Sequence, residues 1–304
     1  RDKDAFRRSV SVVSQDDRLF PGTRWIVRVG NPLLPVVAIA PSDEGVLVLN
    51  ETNYHIYDHG DGTIVGRYSI GDRRASTDIV VDGNTMIFGT TTGRILALSI
   101  KDGFKLWAYD IAGRITSDPA RVDDSVTFVS NQGEVVTLTL DAGQSAGRRE
   151  KIFGGTSHAP AVSDGIVFVP SLDQSIWAFS AAAEGGTVWR KRTSFPITTN
   201  ATTYDGILYI TLQDSGFTAF DTITGEQLWN APSLSGEPVA ARSGQLLVWS
   251  PDRKTLTFFN PETGVLLREV EMPTVKEIHA EHFEDDRVLL IHDDGSLDMF
   301  APRR

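Results

Sequence analysis

The chain has 304 residues, a formal net charge of −11 and no cysteine. The missing thiols exclude disulfides, thiolate metal sites and cysteine nucleophiles. The acidic balance disfavours nucleic acid as a partner, since phosphate binding draws on Lys and Arg. No apolar run reaches the roughly 18 residues of a membrane span, and a chain of this length can bury about 75% of its extended surface without staples.

Residues 1–20 are polar and irregular and read as an N-terminal arm or linker, with one domain over 21–304. The start Arg1-Asp2-Lys3-Asp4 lacks Met, so an export signal or lipid anchor is expected to have preceded it. Thr23 to Val29 follow as an isolated strand carrying Trp25. Beyond it the chain repeats. Residues 97–107 (ALSIKDGFKLW) and 219–229 (AFDTITGEQLW) both fit Ala-x-(Asp/Ser)-x-x-x-Gly-x-x-x-Trp. IYDHGDGTIVG (56–66), TLTLDAGQSAG (137–147), AFSAAAEGGTVW (178–189) and FFNPETGVLLR (258–268) keep the frame with losses. The third position falls on Asp58, Ser99, Thr139, Ser180, Asp221, Asn260 and Ala301, at intervals of 41, 40, 41, 41, 39 and 41 residues. A period near 40 with several short strands per unit is the signature of a propeller.

Four strands can be read in each unit. In the unit after Gly113 they are Ser117–Val122, an alternating Ser125–Ser130, Glu134–Leu140 and Arg148–Phe153. Asp82-Gly83, Asp164-Gly165 and Asp205-Gly206 supply the positive-φ residues of tight first turns. The last unit stops after its third strand. Trp25 lies 33 residues before Asp58, much as Trp107, Trp189 and Trp229 lie 32, 32 and 31 before Thr139, Asp221 and Asn260. The N-terminal strand is therefore expected to complete the last blade and close the ring, which removes open sheet edges. The fold class expected is all-β: a seven-bladed β-propeller of four-stranded antiparallel blades.

This motif resembles the PQQ-like repeat of the quinoprotein alcohol dehydrogenase-like superfamily over about residues 21–304. The resemblance implies that Trp25, Trp107, Trp189 and Trp229 pack between blades, and that Gly62, Gly103, Gly225 and Gly264 close turns. Trp177 and Trp249 stand off the motif and read as packing residues of their own strands. Quinone-dependent dehydrogenases of the superfamily are longer and usually eight-bladed. They use a calcium or lanthanide ion, an Asp base and often a disulfide of adjacent cysteines. A chain of bare repeats without cysteine is similar instead to the non-catalytic branch. That branch holds the eight-bladed lipoprotein of bacterial outer-membrane assembly (BamB-like) and the extracytoplasmic sensor domains of kinases.

Motifs of catalysis are weak. Gly143-Gln144-Ser145-Ala146-Gly147 matches a nucleophile elbow, but it sits in a hairpin rather than between a strand and a helix. In His279-Ala280-Glu281-His282 the residues alternate faces on a strand, so His282 points away from His279 and Glu281. His55 and His59, with Asp58 and Asp61, read as a polar hairpin tip. Asp293 to Asp298 lacks the spacing and terminal Glu of a calcium loop. No catalytic residue, metal or cofactor is expected.

Position singles out another region. Loops from each fourth strand to the next first strand ring one mouth of the channel. They carry Arg73, Arg74, Arg114, Thr116, His158, Thr199, Asn200, Glu237, Lys276, Glu277 and His279. On the same face lie the second-to-third loops Thr90–Gly93, Leu172–Gln174 and Pro251–Lys254. The expectation is a monomeric, extracytoplasmic, non-catalytic scaffold binding a protein partner, with no membrane span in the chain shown. A ligand-sensing domain and a degenerate PQQ-dependent oxidoreductase are the alternatives.

Overall fold

A computed structural model describes residues 23–28, 36–147, 149–182, 185–280, 283–284 and 287–300, the first stretch as backbone. Every regular element among them is a β-strand, and the 28 strands form seven antiparallel sheets of four. In chain order, blade I spans residues 36–69, blade II 80–110, blade III 120–151, blade IV 161–192, blade V 201–231 and blade VI 237–271. Blade VII spans 275–300 and is completed by Thr23–Arg28, which pairs Ile26 with Asp298 and Arg28 with Ser296. The ring is thus closed as the repeat count requires. The strand of Trp25 occupies the fourth position, while its side chain lies outside what is described.

The core is a set of seven slabs, one at each blade junction. Leu47 and Tyr54 of blade I meet Met86 and Phe88 of blade II, while Val46 and Val48 face back onto Leu289 and Met299 of blade VII. Second and third strands are therefore buried on both faces, as along the whole of Gly45–Asn50 and Ile207–Leu212, which are apolar but for Asn50 and Thr211. The second strand of blade III, read from sequence as alternating over Ser125–Ser130, runs Ser125–Val129 and is buried on both faces too. Its polar side is satisfied across the sheet, where the Thr127 and Thr137 hydroxyls lie 2.8 Å apart.

The first turns follow their glycines. Asp164-Gly165 and Asp205-Gly206 take positive φ at both residues. At Asp82-Gly83 the frame moves by one: Asp82 pairs with Thr85 in the ladder, and Gly83-Asn84 form the turn. First strands are shorter than expected, Ala120–Val122 in blade III. The fourth strand of that blade is only Glu150–Lys151, and Arg148 lies outside the described residues.

The motif itself has two separable jobs. Its Asp builds a local turn. Asp221 Oδ1 accepts from the Ile223 and Thr224 N–H groups at 3.0 and 2.7 Å, and Asn260 Oδ1 does the same for Thr263 at 2.9 Å. The glycine closes that turn in the left-handed region, as at Gly62, Gly103, Gly225 and Gly264. Its Trp joins blades. The indoles of Trp107, Trp189 and Trp229 donate to the carbonyls of Leu140, Thr222 and Pro261 in the next blade at 3.0, 3.0 and 2.9 Å. Each ring lies flat on the next blade's turn glycine. A Cβ on Gly143, Gly225 or Gly264 would stand 2.4, 2.9 or 2.5 Å from the ring. In blade I, where Gly66 replaces the Trp, Tyr54 and Tyr68 stack at 4.9 Å and Tyr54 donates to the matching carbonyl of Ile100 at 2.8 Å.

Candidate functional site: the channel collar and one loop face

First strands of six blades, with Ala159 just ahead of the first strand of blade IV, line a central cavity of about 940 Å³. One end is a polar collar. Its geometry follows from an accounting rule: the N–H groups where each first strand starts have no ladder partner, and a buried donor must find one. The next blade supplies it. Asp118 Oδ1 accepts from the Asp78 N–H at 2.6 Å, Asn200 Oδ1 from the Ala159 N–H at 2.7 Å, and Glu237 from the Asn200 backbone N–H at 3.3 Å and its side-chain amide at 2.8 Å. His279 reaches Glu277 at 3.5 Å, and Glu277 pairs with Lys276 at 2.7 Å.

Of the residues expected at the mouth, His158, Asn200, Glu237, Glu277 and His279 come together in or beside this collar. Arg73, Arg74, Arg114 and Lys276 do not line the cavity and are exposed. The Arg114 backbone is tied to Asn131, and the Arg74 carbonyl takes the Thr91 N–H. The heads of Arg73, Arg74 and Arg114 stay in solvent, where a charge avoids the cost of burial, while the exposed Lys276 meets the collar through its ion pair with Glu277. Asp78 and Asp118, the two carboxylates central to the collar, were not among the expected residues. A signal existed: each stands 21 residues before its motif's third position, Ser99 and Thr139, as Asn200 stands before Asp221.

The collar holds its protons unusually. Burial, reinforced by the charge of Asp118, pushes Asp78 up to about 7, and His279 only partly opposes it. Burial also raises Asp118. Burial lowers His279, but the Glu277 hydrogen bond and the Asp78, Glu277 and Asp118 charges outweigh it, so its pKa rises. The His279 bond brings Glu277 down to about 2. His158 is lowered by burial. Such a collar can exchange protons near neutrality and receive hydrogen-bond donors or cations from the cavity.

The sign of the consequence is definite. Between the ordinary carboxylate range and about pH 7, native Asp78 keeps a proton that the unfolded chain has released, so stability falls as pH rises. The slope is up to about 1.4 kcal/mol per pH unit. The raised His279 acts in the same direction. Asp78→Asn should flatten this fall: between pH 5 and pH 8 the wild-type melting temperature should drop more than the variant's, and parallel drops would exclude the assignment.

On the face of the second-to-third and fourth-to-first loops, three apolar side chains stand out of three adjoining loops around blade IV. Phe153, Leu172 and Phe195 are 83, 40 and 43% exposed. The loops are stitched together, with Leu172 N–H on the Gly155 carbonyl at 3.1 Å and Ile197 N–H on the Ser171 carbonyl at 3.2 Å. Beneath them Asp173 binds the Trp177 indole at 3.1 Å and Arg190 at 3.1 Å, and the guanidinium lies over the Trp177 ring at 4.2 Å. The platform is therefore rigid. Leu172–Gln174 is one of the rim loops read from sequence; the two phenylalanines were missed, although Phe153-Gly154-Gly155 and Phe195-Pro196 mark apolar residues at loop punctuation.

The remaining candidates have structural uses. Ser145 donates to the Gly147 carbonyl at 3.1 Å in an exposed turn. His59 lies 2.7 Å from the Ser42 carbonyl and 3.2 Å from Arg287, whereas His55 sits in a third strand opposite Val48. Asp294 accepts from the Ser296 N–H at 2.9 Å in a tight turn. Glu281 and His282 lie outside the described residues. Among the described residues no three His, Asp or Glu side chains form a metal-holding group, and no helix is long and apolar enough to cross a membrane. Trp177 and Trp249 are buried in their own strands.

Comparison with known proteins accords with this architecture. The family described as Outer membrane protein assembly factor BamB matches residues 36–183 and again 154–288, the overlap following from the repeat. The proteins of that name from Salmonella typhimurium and Francisella tularensis are 23% and 24% identical over 129 and 161 residues. Those stretches cover 42% and 49% of this chain but 32% and 34% of the relatives, so the match spans about a third of their length. Among solved structures, BamB from Moraxella catarrhalis superposes with a TM-score of 0.68 at 16% identity, over 90% of this chain and 85% of that one. The computationally designed Ika8 protein gives 0.61 at 16% identity, over 90% and 98%. With the repeat, the propeller of four-stranded blades and a family match over most of the length in agreement, the chain belongs to the family of the outer membrane protein assembly factor BamB.

Proposed function

We propose that this chain is a non-catalytic, protein-binding scaffold of the bacterial cell envelope, acting in the assembly of outer-membrane proteins. Family membership and the names of the relatives support the setting. The observation that carries the binding role is the cluster of Phe153, Leu172 and Phe195 on rigid, adjoining loops. Exposed aromatic anchors on a fixed platform are what protein interfaces use for most of their energy. An extracytoplasmic location goes with this reading, and the partner would be another envelope protein.

The test is capture from an envelope fraction with the wild-type propeller and a Phe153→Asp/Phe195→Asp variant whose circular dichroism and melting are unchanged. Wild type should retain a saturable partner. The variant should bind at least about 30-fold more weakly, as expected when hot-spot anchors of about 2 kcal/mol or more are lost. Equal capture by both proteins would remove the platform from the reading.

The channel cavity favours one second reading, a sensor of a small ligand seated on the collar. Such a ligand would raise the melting temperature by mass action, and a broad metabolite panel without any shift would count against it.

A further inference from the structure

The collar satisfies its backbone donors but leaves acceptors open inside the channel. Asp118 uses Oδ1 on the Asp78 N–H at 2.6 Å, and Asp78 uses Oδ1 on the Ile79 N–H at 2.8 Å. Among the described residues nothing donates to either Oδ2, although both side chains belong to residues that line the cavity. His279 adds a third acceptor. Its Nε2 faces the Glu277 carboxylate at 3.5 Å, which favours a proton on that nitrogen in the neutral ring and leaves Nδ1 without a partner. These groups come from blades II, III and VII yet feel one another: the Asp118 charge raises Asp78, and both carboxylates raise His279.

The surroundings narrow what can sit there. The other two carboxylates of the collar are engaged, Glu237 by the Asn200 amide and Glu277 by Lys276. Beside each collar residue in sequence stands an apolar one on the same cavity wall: Ile79, Pro119, Ala201, Pro238 and Ile278. The cavity, at about 940 Å³, is large enough for a small molecule. Three open acceptors, two of them acidic, beside an apolar wall fit a compact cation with three N–H donors on an aliphatic chain. A guanidinium spreads its donors over a wide planar fork instead.

We propose that the collar is the binding site of a primary alkylammonium, its N–H groups on Asp78 Oδ2, Asp118 Oδ2 and His279 Nδ1 and its chain along the channel wall. The proposal rests on the small-ligand reading of the channel and names the ligand's class. A free amine and the lysine side chain of an inserted polypeptide present the same chemistry.

Binding carries a proton signature. Below about pH 7 Asp78 holds a proton that the ammonium would displace, and His279 would release its own to accept at Nδ1. The titratable groups facing Asp78 are Asp118 of blade III and Glu277 and His279 of blade VII, and His158 of blade IV faces Asp118. Affinity should therefore rise from about pH 6 to about pH 8, a range in which an alkylamine, like lysine with its pKa of roughly 10.4, stays charged.

The probe is n-pentylamine, titrated into the full chain by calorimetry near about pH 6.5 in two buffers of different ionisation enthalpy. Expected is saturable one-to-one binding with proton release. n-Pentanol and pentanoate should bind at least about tenfold more weakly, the worth of one hydrogen bond to a charged group. Asp78→Asn and Asp118→Asn, which keep the side-chain shape, should each lose a similar factor, and Asp78→Asn should also flatten the pH dependence. Should the variants not fold, proton release by the wild type decides, because an ordinary surface carboxylate has no proton to give at this pH. An acetyl-Gly-Lys-Gly-amide peptide separates the two sources: tighter binding than pentylamine supports an inserted lysine, weaker binding a free amine. The proposal is overturned by no saturable binding at millimolar amine, by pentanol binding as well as the amine, or by binding without proton release that both variants retain. A different metabolite that still raised the melting temperature would then leave the small-ligand reading standing without this one.

Discussion

Trp107→Ala should lower the unfolding free energy by about 3–5 kcal/mol, the range for removing a buried large aromatic side chain. Trp107 is 8% exposed and packs in the slab between blades II and III. The truncation would remove its contacts there and leave the Leu140 carbonyl without its donor. Trp107→Phe should restore much of the packing but not the hydrogen bond, for an intermediate loss. Gly143→Ala probes the same contact from the other side. An added Cβ would lie 2.4 Å from the ring, on a residue whose φ is 62°. Its cost, about 1–3 kcal/mol for overpacking, should shrink in the Trp107→Ala background, because only the backbone strain is then left. Urea unfolding of the four proteins gives the cycle. A loss below about 1 kcal/mol for Trp107→Ala, or strict additivity, would show that the ring does not join the blades energetically.

Deleting residues 1–28 should do more damage. The strand Thr23–Arg28 covers the outer edge of Ser296–Phe300. Without it the third strand of blade VII becomes an open edge, which invites pairing with other copies. The expected result is a lower and less cooperative thermal transition, with concentration-dependent association in light scattering. A synthetic peptide of residues 21–31 should reverse both in proportion to its concentration, since a ligand of the native ring stabilises it by mass action. If the truncated protein melted as the full chain does, closure by this strand would not contribute to stability.

The spacing of Asp58, Ser99, Thr139, Ser180, Asp221, Asn260 and Ala301, the last outside the described residues, carried the blade count because the motif does local work. An Asp or Asn whose side chain holds the turn's own N–H groups leaves its mark in sequence wherever that turn is kept. The closure was legible for a similar reason, in the offset of Trp25. The channel was less so. His158, Asn200, Glu237 and His279 could be placed in the collar, but Asp78 and Asp118 were passed over. Their significance comes from neighbouring blades facing one another across the ring, and a single unit contains only half of each contact. Arg73, Arg74 and Arg114 share loops with collar residues, yet loop membership does not fix which side chain turns inward. Phe153 and Phe195 were hidden for the opposite reason. An apolar residue in sequence suggests a core, and only the fold shows these two standing outside it.

The pairing of Ile26 with Asp298 also bears on the order in which the molecule assembles. Within each blade of this meander, every paired strand is the sequence neighbour of the last, so seven hairpin stacks can form from short-range contacts as the chain lengthens. The closing pair is different. Its strand precedes the other described strands in the chain and has no partner until the hairpin of blade VII exists. The entropy of bringing such distant segments together grows only with the logarithm of the intervening length, so the delay is the more serious burden. An unclosed ring, with its last blade one strand short, is therefore the state from which closure must start.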